Sequence, residues 1–262
     1  MYRAFTLTHS NWSGIASKSG ETLFQQKSEA VRTSLEAFVS NKIVDGGKLS
    51  AHWFPKIKAD VFISHSHQDK ANAITFAAWL KDNFGLEPFI DSCVWGHAAE
   101  LLAIIDKEYC WNEDKETYDY LKRNDSTSHV HMILANALSE MLEVVECVFF
   151  MNTPNSIAPN ETVSKTLSPW IFYELGVMRI IRRTKPARME VEINLSEGRL
   201  KKAEAHLQMT HPVPLNELTP LSSTQLNQWI KAHDSKSRWQ HDLDLLYEIA
   251  PESRRTGGAE TG

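Results

Sequence analysis

The sequence predicts an α/β fold built on a parallel sheet, and two stretches carry that prediction. The first runs strand, helix, strand. Ala59-Asp60-Val61-Phe62-Ile63-Ser64 has an apolar centre, Lys70 to Phe84 places Ala73, Phe76, Ala77, Leu80 and Phe84 on one helical face, and Leu86 to Ile90 reads as a second strand. Two strands joined through one helix argue a parallel unit. The second stretch repeats the pattern: Leu134, Ala137, Leu138, Met141, Leu142 and Val145 form a helical stripe, followed by the buried-looking strand Cys147-Val148-Phe149-Phe150-Met151.

The punctuation between these elements follows local chemistry. Ser66 and Asp69 have the spacing of a capping box for the Lys70–Phe84 helix, and Gly85 ends it. Pro88 points to a strand start or a sheet edge. Residues 91–125 read as a long connection rich in bulky aromatics, with one short helix near Leu101–Ile105, and Ser126 or Ser128 as the start of the next helix. Asn152 to Thr166 reads as a turn-rich loop. A helix is predicted from Ser168 to about Arg183, a strand over Met189–Leu195 and an extended segment over Pro212–Pro220. Leu226, Trp229 and Ile230 belong to one later helix, and Trp239, Leu243, Leu246 and Ala250 to another. Residues 1–18 read as irregular, Ser19 to about Asn41 as an amphipathic helix, and Asp45-Gly46-Gly47 as its break. The domain organisation expected is an N-terminal helical extension over 1–57, a main domain over 58–250 and a disordered tail over 251–262.

The totals exclude several classes. With 262 residues, 42% hydrophobic and 23% charged, the chain is ordinary for a globular protein. A net charge of -5 gives no basic surface for nucleic acid. No signal peptide or membrane span is apparent. The three cysteines, Cys93, Cys110 and Cys147, have no short pair spacing and are expected as reduced thiols in a cytoplasmic protein. Eight tryptophans are many for this length.

The stretch Ser168-Pro169-Trp170-Ile171-Phe172-Tyr173-Glu174-Leu175 holds the leading candidate residue. Ser168 suits the cap of a helix and Pro169 its first position. Trp170 and Glu174 are then one turn apart on one face. Ile171, Phe172 and Leu175 are apolar, so Glu174 enters its helix among groups that would bury it, and a buried carboxylate needs a partner or a function. Taken alone, a surface glutamate at a helix start, helped by the dipole, is the better explanation of the residue.

The order of motifs resembles the Toll/interleukin-receptor (TIR) domain family. Asp60-Val61-Phe62-Ile63-Ser64 before a capped helix resembles the family's opening strand, and Phe89-Ile90-Asp91 its entry into a long second loop. Ser168-Pro169-Trp170 with Glu174 is similar to the Ser-x-Trp-x-x-x-Glu signature of its enzymatic members. The resemblance covers roughly residues 59–195. It implies a flavodoxin-like parallel sheet with helices on both faces and, as in the NAD-consuming members of Thoeris-like anti-phage systems, cleavage of NAD at the nicotinamide–ribose bond. It further implies an ADP-ribose-derived signal for a downstream effector protein, and self-association through the 91–125 loop. Glu174 matches the catalytic glutamate. Ser64, His65, Ser66, Asp91, Ser92, Trp95, Trp170 and Tyr173 are the substrate-binding candidates, with NAD as substrate and no cofactor. His65 after the first strand and the length of the 91–125 loop depart from the common pattern.

The chemistry suits a carboxylate. Nicotinamide leaves as a neutral molecule, positive charge builds on the ribose, and a nearby carboxylate stabilises that charge most in the transition state. Trp170 serves equally as a site wall or as a core residue. His65 and His67, with His129 and His131, raise the question of zinc. Residues two apart on a helix do not share a face, no cysteine pair accompanies them, and no metal is expected. Arg179, Arg182, Arg183 and Lys185 read as a solvated helix end. Two other functions fit the same fold: a non-catalytic interaction module, and an enzyme similar to nucleoside deoxyribosyltransferases, which also set a glutamate at a ribose.

Overall fold

The computed structural model describes residues 1–7, 39–40, 43–95, 98–157, 165–166, 168–189 and 211–252. Its centre is a sheet of five parallel strands: β1 (Arg3–Leu7), β4 (Val61–Ser64), β5 (Pro88–Phe89), β8 (Cys147–Met151) and β11 (Thr219–Leu221). Two short strands, β2 (Val39–Ser40) and β3 (Ile43–Val44), pair antiparallel apart from it. The spatial order is β11-β1-β8-β4-β5. This is a flavodoxin-like α/β fold. Read from the β5 edge, β5, β4 and β8 take the places of the second, first and third strands of the 2-1-3-4-5 order. The fourth place is filled by β1, from the other end of the chain.

β8 is central because every residue in it is apolar and all five are buried, as a strand covered on both faces requires. It pairs in register with β4 (Ser64 opposite Phe150) and with β1 (Leu7 opposite Met151). The segment predicted to be irregular therefore contributes a core strand, and the boundary at residue 57 divides residues that share one sheet. Two polar side chains hide this strand from a pattern search. Arg3 is buried, with its guanidinium over the Phe5 and Tyr247 rings and donating to the Ala250 carbonyl at 2.8 Å. Thr6 is buried as well.

The helices follow their caps. Asp45 accepts from the Lys48 amide and opens α1 (Gly46–Trp53), so the two glycines begin a helix where a break was expected. The helix predicted over 19–41 falls largely outside the described residues, and its last positions, Val39 and Ser40, are strand. α2 (Lys70–Phe84) ends on Gly85 at φ 67°, a left-handed position that favours glycine. The 91–125 region is largely regular. It contains α3 (Asp91–Val94), α4 (Ala98–Ile105), one π turn (Asp106–Cys110), the hairpin β6 (Trp111–Asn112) with β7 (Thr117–Tyr118), and the beginning of α5 (Tyr120–Val144). Asp119, not Ser126 or Ser128, caps α5 by accepting from the Lys122 amide.

β9 (Lys165–Thr166) pairs antiparallel with β10 (His211–Pro212). Between them, α6 (Pro169–Ile180) begins as the sequence indicates, with Ser168 Oγ accepting from the Ile171 amide at 3.2 Å and Pro169 in the first turn. It ends three residues before Arg183. Of the strand predicted over 189–195, Met189 ends a 3-10 turn and the rest lies outside the described residues, as does the tail from 253. α7 (Ser223–Ser235) carries a full capping box from Ser222 and Gln225, and α8 (Asp242–Ile249) completes the chain's order. Trp239 lies before α8 and is 87% exposed, so it is not part of that helix's buried face.

An aromatic layer joins sheet and helices. Phe149 of β8 stacks with Phe5 of β1 and meets Phe76 of α2 edge-on, and Trp79 and Phe84 of α2 pack against Trp229 of α7. All three cysteines are buried free thiols. Among the described residues, no helix is long and apolar enough to cross a membrane.

Candidate active site

From β4 the chain goes to β5 on one side, then returns to β8 on the other. This reversal lies at the carboxyl ends of β4 and β8, the position at which open parallel sheets bind ligands. β4 ends on Ser64, and α6 brings Glu174 to it. Ser64 Oγ donates to Glu174 Oε2 at 2.5 Å, across 110 residues of sequence. Both side chains are buried, Glu174 to 4% exposure. Burial pushes the Glu174 carboxyl well above the usual glutamate range; the negative charge of Asp91 adds to the rise, and the Ser64 hydrogen bond opposes it. The glutamate is thus a nearly sealed acid with one hydroxyl partner and a second carboxylate close enough to influence it.

The loop after β5 supplies the rest. Asp91 and Ser92 open α3, and Ser92 Oγ lies 3.1 Å from His65 Nε2. Burial holds His65 below the usual histidine range, against the charges of Asp91 and Asp69. Lys70 Nζ donates to the Ser92 carbonyl at 2.8 Å and ties the start of α2 to α3. Ser64, His65, Asp91, Ser92 and Glu174 therefore form one group.

Four other candidates take different positions. Trp95 is buried, packs edge-on against Phe54 and Phe89, and donates its indole N–H to the Pro55 carbonyl at 3.0 Å. It anchors the core, because its ring and its donor are both engaged there. Trp170 and Tyr173 meet α5: the Trp170 ring stands edge-on to His131 at 5.3 Å, and Tyr173 Oη lies 2.7 Å from Ser139 Oγ. Trp170 is half-buried against α5. Ser66 makes no side-chain cap bond.

The expected capping box is replaced by a longer-range clasp that sequence reading missed. Asp69 is buried, accepts from Thr153 Oγ1 at 2.5 Å and from Asn155 Nδ2 at 2.9 Å, and so joins the β4–α2 turn to the loop after β8. The signal available was the turn-type run Thr153-Pro154-Asn155-Ser156 directly after a buried strand.

Compared with known proteins, the chain matches no family model, no curated protein and no solved structure. The reading of the site therefore stands on its geometry and on the motif resemblance.

One carboxylate–imidazole group with ligand-like spacing occurs among the described residues, with its first member just before β8: Glu146, His241 and Asp244. Arg188 already forks both of its carboxylates, donating to Glu146 at 2.8 Å and to Asp244 at 2.9 Å. A cation would have to enter beside a guanidinium, so the group is an ion-pair network. His131 stands on the exposed face of α5 against Trp170, and His65 is bonded to Ser92, so the two histidine runs face different neighbours.

Proposed function

We propose that this protein cleaves NAD at the nicotinamide–ribose bond, with Glu174 stabilising the ribosyl cation. The observation that carries the reading is the buried Glu174 carboxyl, hydrogen-bonded by Ser64 at the reversal point of a parallel sheet. A carboxyl held above its usual range is a poor anion on its own. A pyridinium ring entering beside Glu174 and Asp91 reverses this, because its positive charge favours the ionised form. The substrate would thus ionise the group that its transition state needs, and departure of neutral nicotinamide requires no acid.

The wider reading follows the resemblance: a cytoplasmic enzyme of bacterial anti-phage defence whose ADP-ribose-derived product signals to a downstream effector, with self-association through the 91–125 region. That region's hairpin exposes Trp111 and Tyr118, and the first turn of α5 exposes Tyr120 and Leu121, a surface suited to a protein neighbour. The same surface favours the second reading, a non-catalytic interaction module.

The test is nicotinamide release by purified protein with mass analysis of the products, run beside Glu174→Gln and with and without extract of phage-challenged cells. The expected result is release by the wild type and a loss of at least ~100-fold in the variant. Undiminished turnover by Glu174→Gln removes the central assignment. Release of base from deoxynucleosides in preference to NAD favours the deoxyribosyltransferase-like enzyme. No turnover of either substrate, with or without extract, favours the interaction module.

A further inference from the structure

The Ser92–His65 pair has no role in expelling nicotinamide, yet it has the geometry of a nucleophile and its base. Ser92 Oγ is 3.1 Å from His65 Nε2. His65 Nδ1 is sealed from solvent without a well-formed hydrogen bond, and the Ile63 carbonyl favours a proton on the ring. With the proton of the neutral ring on Nδ1, Nε2 accepts from the Ser92 hydroxyl. Lys70 holds the Ser92 main chain in place. Ser92 and His65 are only half-buried, whereas Ser64 and Glu174 are closed. An entering ligand meets the pair first.

The surroundings select the electrophile. Acyl transfer needs amide donors for an oxyanion. Here the amides of Cys93 and Val94 both bond the Ile90 carbonyl at 3.1 Å, and the Trp95 amide bonds the Asp91 carbonyl at 2.9 Å. Around the pair the carboxylates of Asp91 and Asp69 outnumber the single Lys70 ammonium, which favours a cation over an oxyanion.

We propose that Ser92, with His65 as its base, captures the ribosyl cation formed at Glu174, so that the protein ADP-ribosylates its own crevice and closes it. This rests on the NAD cleavage proposed above. The C1′–N bond breaks and its electron pair leaves with nicotinamide. Ser92 Oγ bonds to C1′, and the hydroxyl proton passes to His65 Nε2 and then to solvent. Neither oxidant nor reductant is needed. The product is an alkyl glycoside whose leaving group is an alkoxide, far poorer than nicotinamide, so the adduct accumulates.

The experiment incubates the full-length protein with NAD and follows nicotinamide release, intact mass and peptide mapping in the same samples. The wild type is expected to gain one ADP-ribosyl group on the Ser92 peptide while nicotinamide release slows. Ser92→Ala should stay unlabelled, with a linear progress curve whatever its initial rate, and Ser92→Thr should recover labelling. His65→Gln should label at least ~10-fold more slowly per nicotinamide released, as loss of a general base predicts. Nicotinamide release with Ser92 unmodified, or equal labelling of Ser92→Ala, overturns this inference and leaves NAD cleavage standing. No nicotinamide release from the wild type, with or without extract of phage-challenged cells, overturns both.

Discussion

Glu174 carries opposite consequences for activity and for stability. In the folded protein its carboxyl holds a proton more tightly than the ordinary glutamate value of about 4.3 allows. The proposed cleavage needs the ionised form, so kcat/KM should rise with pH, with a midpoint above that ordinary value. A profile that stays flat from about pH 5 to about pH 8 would remove Glu174 as the group that titrates. Stability runs the other way. A group whose folded pKa is raised contributes stability below its unfolded value and loses it as pH rises through the folded value. Above the ordinary glutamate value the wild type therefore bears a cost, whether of keeping the proton or of burying the charge, and at pH 8 Glu174→Gln should be the more stable protein by on the order of 1 kcal/mol. The difference should shrink as the pH falls toward the ordinary glutamate value. Thermal melts of both proteins across that range measure it, and a Glu174→Gln protein that melts lower at pH 8 contradicts the buried-acid account.

At the scale of elements, Asp69 ties the β4–α2 turn to the loop after β8. Removing its side chain leaves the buried Thr153 hydroxyl without its carboxylate and the Asn155 amide without its acceptor. Asp69→Ala should cost roughly 2–4 kcal/mol on that basis, whereas Ser66→Ala, which breaks no cap bond, should stay within about 0.5 kcal/mol. Denaturant midpoints at equal m-value compare the two; equal losses would mean that a conventional capping box operates after all. The contrast also explains what was legible in the sequence. Ser168, Pro169 and Gly85 act on residues within one turn, so their helix ends could be read directly. Glu174 was legible because its apolar neighbours foretold burial. Asp69 was misread, since Ser66 offered a local partner while the donors that hold it lie 84 and 86 residues away. Trp95 was assigned to the crevice from its position after Asp91, but its ring direction depends on Phe54 and Pro55, from a segment that motif order does not reach. The 91–125 segment read as a loop because its hairpin strands are two residues each, too short for any periodicity to register.

The whole molecule depends on a strand that arrives from the chain's beginning. β1 lies between β8 and β11, and without it the β11 edge has no neighbour in the sheet. Its five residues alternate poorly, and their partners lie some 140 and 210 residues away, so only tertiary pairing selects them. Phe5 is fully buried and joins three elements, stacking on Phe149 at 5.7 Å and on Tyr247 at 6.2 Å beneath the Arg3 guanidinium. Phe5→Ala should therefore behave as a core truncation and cost about 3–5 kcal/mol. If residues 1–57 formed a separable extension, the same change would leave the main melting transition in place. A chain beginning at residue 58 sharpens the comparison, since it removes the fourth strand of five. Far-UV circular dichroism and thermal melting of that truncated chain should show no cooperative transition. A native-like transition would mean that β4, β5, β8 and β11 close a sheet on their own, and that the crevice at the ends of β4 and β8 does not depend on β1.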